Sequence, residues 1–274
     1  MEENKGKQID LSDLKELQMQ VMDVIDKFCR ENNIRYFITA GTLIGALRHK
    51  GYIPWDDDID IVMLRNDYEK FIAKFQNYSE RYKVYSIETD INCHYAYAKV
   101  YDNNTVFIEG HEGKRHEHIG INVDIFPLDY VTHNYDDAVR LKNKIKPYNT
   151  IMMVKTIVWM DRGWGKNISL FFLKAFCSLF SFSWCVRHID RIARTYESNT
   201  DSRYVANAVI YAKGEREVLE REWFDSQIEL PFEDRKYLAP VGADQYMRRL
   251  FGDYMQLPPK DKQVTHHSFK AYYK

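Results

Sequence analysis

The chain has 274 residues, in which 39 Lys and Arg nearly balance 40 Asp and Glu. That length suits one large domain or two modest ones. Apart from small groups such as Arg187, Arg191 and Arg194 the basic residues are dispersed, which excludes the broad cationic stripe of a nucleic-acid binder and leaves any phosphate chemistry local.

In residues 10 to 32, Leu14, Leu17, Val21, Val24 and Phe28 recur in steps of three and four, the stripe of an amphipathic helix. A short strand is expected at "IRYFIT" (34–39), then a turn at Gly41 into a short helix over "TLIGALRH" (42–49). "DIDIVML" (58–64) reads as a strand, and Asn66 with Glu69 resembles a capping box opening a helix over 67–78. "YKVYSIE", "HYAYAKVYD" and "TVFIE" are short and rich in Tyr and Val, as strands are. "GINVDIFPLDYV" is a further strand, which Pro127 should stop. Residues 1–132 therefore predict an α+β sheet core. From residue 133 the patterns lengthen, as in "DDAVRLKNKIKPYNTIMMVK" and "VGADQYMRRLFGDYM". Residues 133–274 are expected to form a mainly helical elaboration that completes the site, continuous with the core or separate from it.

Residues 168–186, "ISLFFLKAFCSLFSFSWCV", hold fourteen apolar residues in nineteen, interrupted by Lys174 and four serines. Three readings are open: a buried or partner-packing helix, a helix lying on a membrane surface, or a span. Cys29, Cys93, Cys177 and Cys185 form no CxxC pair, and the first twenty residues hold no apolar signal core. A reduced, cytoplasmic protein is expected, with the inner face of the membrane as a place of association.

The chemistry concentrates in "GYIPWDDDIDIVM" (51–63). In a strand, side chains two apart share a face, so Asp58 and Asp60 project together while Ile59, Ile61 and Met63 turn away. Two bare carboxylates about 5 Å apart repel by roughly 3 kcal/mol at an effective dielectric of 20. A hard divalent cation with oxygen ligands relieves that repulsion, as protonation or water also would. Asp124, in "NVDIF", is the acid best placed to converge on the pair. Asp56 and Asp57 suit a solvated turn after Pro54. An EF-hand beginning at Asp56 fails, because Ile61 stands where Gly is needed and Asp67 where Glu is needed, and "GTLIGALRHKG" lacks the Gly-Lys-Ser/Thr of a P-loop.

A Gly41-Thr42 turn after a strand, an Asp-x-Asp pair on the next and a lone Asp on a later strand resembles the nucleotidyltransferase superfamily. With "GTLIGALRHKGYIPWDDDIDI", "NVDIFPLDY" and "YMRRLFGDYMQLPP" followed by a His, the chain resembles the LicD family of phosphocholine transferases, to which fukutin-related proteins are similar. The likeness runs from roughly residue 30 to 267, with nothing carried over for 134–200. It implies a nucleotidyltransferase-like mixed sheet flanked by helices. It also implies transfer of phosphocholine, or a related phosphoalcohol, from a CDP-linked donor such as CDP-choline. The acceptor would be a sugar hydroxyl of a glycan or lipid-linked glycan such as teichoic acid or lipopolysaccharide, with release of CMP.

Carried onto this chain, the resemblance has Asp58 and Asp60 hold Mg²⁺ or Mn²⁺ against the diphosphate. Asp124 completes the metal site or takes the acceptor's proton. Gly41 and Thr42 offer N–H groups and a hydroxyl to phosphate at a helix start, or form an ordinary capped turn. Arg48 and His49 are candidate phosphate contacts, with Lys50 a loop charge. Trp55 stacks on cytosine or a quaternary ammonium, or packs in the core. Lys99 is a phosphate ligand in the same cleft or a surface lysine. Tyr95, Tyr97 and Tyr101 pack, or cage choline, and His266 and His267 support the site. Competing readings are a metal-dependent glycosyltransferase using a nucleotide sugar, a CDP-ribitol or CDP-glycerol transferase, and an inactive scaffold.

Overall fold

The apolar stripe near the N-terminus folds as α1 (Leu11–Glu31), within one residue of its expected ends at each side, after a two-residue strand β1 (Gln8–Ile9). Asp10 caps it by accepting from the Asp13 N–H at 2.9 Å. The computed structural model describes residues 6–109, 119–157, 164–264 and 269–274, so His266 and His267 lie outside the described residues. Then come β2 (Phe37–Ile38), α2 (Ala40–Arg48), β3 (Asp60–Leu64) and α3 (Arg65–Phe75). The rings of Phe28, Phe71 and Phe75 lie 4.8–5.6 Å apart and lock α1 onto α3.

Strands β4 (Tyr82–Tyr85), β5 (Ala98–Asp102), β6 (Thr105–Glu109) and β7 (Asn122–Tyr130) follow. The helical layer is α4 (Tyr135–Lys144), α5 (Lys146–Thr156), α6 (Trp164–Ser178) and α7 (Phe182–Ala193). The expected long helix breaks at Ile145, and Pro147 takes the first turn of α5, where its missing N–H has no intrahelical partner to lose. The chain ends with β8 (Tyr204–Ala206), β9 (Val218–Glu220), β10 (Gln227–Phe232), β11 (Arg235–Pro240), α8 (Ala243–Phe251) and β12 (Phe269–Tyr273). The second half thus carries strands that its helical patterning does not announce.

The main sheet runs β2-β3-β7-β5-β4, with β8 on β7 and β9 on β8. β3 and β7 are parallel and the other pairs antiparallel. A mixed sheet flanked by helices is the α+β class the sequence predicts. β6, β12 and β1 form a second sheet, and β10 with β11 a hairpin. Its Tyr237 and Arg235 bond Asp23 of α1, each at 2.9 Å. One hydrophobic cluster draws on both halves of the chain: Ile61 and Val123 from the sheet, Val186 and Ile189 from α7, Met247 from α8.

Two local expectations need correction. β7 runs through Pro127 instead of stopping there. Pairing with β5 ends at Ile125 and β8 joins only at Asp129, so the proline faces an edge with no ladder partner and its missing N–H costs no bond. α3 begins at Arg65 with no side-chain cap, so Asn66 and Glu69 form no capping box. Arg65 is the reason: it is 1% exposed and donates to Asp129 at 2.6 Å and Asp190 at 3.3 Å.

Among the described residues no single helix is long and apolar enough to cross a membrane, although α6 and α7, bent by 72°, pass together by length and composition.

Removing one partner of a buried ion pair strands the other. Arg65→Ala is therefore expected to lower unfolding free energy by about 3–5 kcal/mol, read by chemical denaturation. A variant as stable as the wild type would show that this pair does not hold α3, β7 and α7 together.

Candidate functional site

The parallel register of β3 and β7 sets Asp60 opposite Asp124, and the antiparallel register of β5 and β7 sets Lys99 opposite Asp124. Paired residues on adjacent strands share a sheet face, so Asp60, Asp124 and Lys99 form one row across three strands. Lys99 is 4% exposed, and its ammonium stands 2.7 and 3.0 Å from the two Asp124 oxygens and 3.3 Å from Asn122 Oδ1. It also lies 4.7 Å over the Tyr95 ring. The surface-lysine reading of Lys99 therefore fails, because the strand buries it beside an acid.

β3 begins at Asp60, so Asp58 sits in the extended segment leading into it. Asp58 and Asp124 nevertheless line one cavity of about 170 Å³ together with Gln18, Asp57, Tyr97 and Lys99. A second cavity of similar size, more apolar, holds Asp60 among Thr39, Phe126, Tyr246, Leu250 and Phe251. The Tyr97 and Phe126 rings touch at 4.4 Å, and they form the wall between the two spaces. The acids straddle that wall.

The start of α2 clamps the row. Thr39 donates its N–H to the Asp60 carbonyl at 3.0 Å, and the Asp60 N–H donates to the Thr42 hydroxyl at 2.8 Å. Thr42 is thus inside the helix, buried and spent on the strand, and the helix opens at Ala40 after Thr39. The expected Thr42 cap is absent for that reason. Thr39 gives no side-chain cap either, since its hydroxyl bonds Tyr246 at 2.6 Å. Gly41 admits the Asp56 carboxylate: a Cβ there would meet Oδ2 at 2.2 Å.

Asp56 and Asp57 are consequently more than turn residues. Asp57 is buried and its carbonyl accepts from Gln18 at 2.9 Å. Asp60 is pushed well above the ordinary carboxylate range, first by burial, then by the charges of Asp58, Asp124 and Asp56, with Lys99 opposing. Among the described residues no group of three or more His, Cys, Asp or Glu is arranged to hold a metal by itself. What stands here is a crowd of hard oxygen donors, the chemistry that suits a magnesium-like ion sharing its ligands with phosphate.

The basic candidates upstream have partners of their own. Arg48 donates to His49 Nε2 at 2.8 Å and to the carbonyls of Tyr254 at 2.5 Å and Gln256 at 3.4 Å. It braces residues 254–256, and burial, then the Arg48 charge, holds His49 below its usual range. Trp55 packs on the core with its ring 6.3 Å from that of His49. None of these three lines either cavity. Lys50 is an exposed loop charge, and Tyr101 packs near Tyr85 and Ile119.

Sequence reasoning missed Lys142, fully buried on α4. It stands 2.9 Å from Glu217 and bonds the carbonyls of Asn207 and Ile210, three residues that wall the Asp60 cavity. Nothing local marks it within "RLKNKIK".

A family model described as LicD/FKTN/FKRP, nucleotidyltransferase domain, matches residues 33–161. The chain is 29% identical over 265 residues to the lipopolysaccharide cholinephosphotransferase LicD of Haemophilus influenzae, covering 94% of this chain and 97% of that one. An uncharacterized Rickettsia typhi protein is 38% identical over 77 residues, 27% of this chain and 25% of its own length. A second, from Rickettsia prowazekii, is 48% identical over 48 residues, 18% of each.

A carboxyl whose folded pKa is raised opposes folding once pH exceeds its unfolded value near 3.9, because the folded state then holds the proton that the unfolded state releases. In metal-free buffer at neutral pH, Asp60→Asn is therefore expected to raise the melting temperature by roughly 2–4 °C. That gain should shrink as pH falls towards about 4. A variant no more stable than wild type at neutral pH would refute the crowding of charge around Asp60.

Proposed function

Because this chain is a member of the LicD family, we propose that it transfers phosphocholine from CDP-choline to a sugar hydroxyl of a cell-surface glycan precursor, releasing CMP. Lipopolysaccharide is the acceptor class that the Haemophilus influenzae relative's name supports. The observation that carries the reading is the row Asp60, Asp124, Lys99 beside Asp58, fixed by strand register on one sheet face.

Asp58 and Asp60 are the residues to hold a divalent ion, Mg²⁺ foremost, and such an ion supplies neutralisation of the diphosphate charge. The hard carboxylate oxygens and the charge crowded on Asp60 fit that group. The acceptor oxygen forms a bond to the choline-bearing phosphorus as the bond from that phosphorus to the CMP oxygen breaks. Asp124 takes the hydroxyl proton, since it is the acid of this set turned to the cavity wall by a fixed partner. Lys99 orients Asp124 and adds positive charge where the phosphoryl group's charge is spread. The two cavities meeting at Tyr97 and Phe126 offer separate room for donor and acceptor.

The test is CMP release from CDP-choline with Mg²⁺ and deacylated lipopolysaccharide. Release is expected to need all three, and Asp58→Ala with Asp60→Ala to lower it on the order of a thousandfold. Turnover of UDP-sugars but not CDP compounds would overturn the reading in favour of a glycosyltransferase. Preference for CDP-ribitol or CDP-glycerol would overturn the choice of choline.

A further inference from the structure

α6 is built inside out. Packed on α5, it turns Asn167, Leu170 and Lys174 half inward and buries Cys177, while Phe171, Phe172, Leu173, Phe176 and the following Leu179 are 58, 66, 46, 57 and 76% exposed. A helix on a water-facing surface shows the reverse pattern. Single exposed apolar side chains are ordinary, but five large ones in nine positions call for a partner.

The charge around this face says which partner. From Ala138 to Ile189 nine Lys and Arg stand against one Asp, whereas the rest of the chain has 30 Lys and Arg against 39 Asp and Glu; of the nine, Lys142 is buried against Glu217. Lys144, Lys146, Lys166 and Arg187 are exposed. We infer that α6 is a surface helix that seats its aromatic face in an anionic lipid leaflet, with the surrounding cations on the headgroups. Trp164 at one end of α6 and Trp184 just beyond the other, 84% and 38% exposed, are the side chains that favour a membrane–water boundary.

Other occupants fit less well. Fifteen residues of helix reach about 22 Å, short of a hydrocarbon core of about 30 Å, and the chain bends by 72° into α7. A second copy would set this cationic region against itself, and lysine is depleted from protein interfaces. The inference goes beyond the proposed reaction and stands or falls without it, because the experiment uses no donor and no acceptor.

The experiment is co-sedimentation of the full chain with phosphatidylethanolamine vesicles containing phosphatidylglycerol, beside vesicles of phosphatidylcholine alone. The chain is expected to partition to the anionic vesicles and to be released by salt. Phe171→Ser, Phe172→Ser and Phe176→Ser together should weaken partitioning at least tenfold, as should Lys166→Glu with Arg187→Glu, with unchanged circular dichroism. Without any variant, brominated lipid should quench tryptophan fluorescence. A chain that stays in the supernatant, binds both vesicles alike, or binds equally well after the serine changes would overturn the inference. So would a lipid-free dimer that the serine changes abolish.

Discussion

Everything at the site depends on the register of two parallel strands. With β3 and β7 aligned Asp60 to Asp124, the carboxylates are neighbours on one face, and a slip of one residue would send one of them to the opposite face. The same alignment, continued five residues on, sets Arg65 beside Asp129 on the other face, where their buried ion pair closes at 2.6 Å. The pair at one end of the ladder thus holds the register that the acids at the other end would by themselves repel apart. The buried ion pair and the acids of the candidate site thus lie on opposite faces of this ladder.

Among the described residues, two positive features stand beside the acids. Lys99 meets Asp124 directly, and the start of α2 lies against Asp56, whose carboxylate occupies the space a side chain at Gly41 would take, which sets the helix's partial positive end beside an acid. Asp60's raised pKa reflects its burial first and then the charges of Asp58, Asp124 and Asp56, with Lys99 opposing. The divalent cation proposed for this cleft would act on that same charge.

Local periodicity made α1 and the strand that begins at Asp60 legible, because each depends on neighbours within a few residues; Asp58, expected on that strand, stands before it and lines a different cavity from Asp60. Lys99 and Asp124 were legible as charged residues among apolar neighbours in strands, a placement that burial must answer. Arg48 was not, because its partners Tyr254 and Gln256 lie some two hundred positions away and no local pattern reports a loop folding back. Asp56 and Asp57 looked like turn residues since only the approach of α2 and Gln18 turns them into the site. Pro127 misled for a similar reason: whether a strand survives a proline depends on which edge is paired there.

Lys142 ties the helical layer to the wall of the Asp60 cavity. Its ammonium, fully buried and depressed in pKa by that burial, fixes the carbonyls of Asn207 and Ile210 and the carboxylate of Glu217, which wall the Asp60 cavity. The helix that carries it packs on α5 and α7, and α5 in turn on α6. A surface engaged by α6 is therefore linked, through three helices and one lysine, to the shape of the space beside Asp60. The helical layer is joined to the chemistry by a contact that resists sliding, since moving α4 would strand a buried charge.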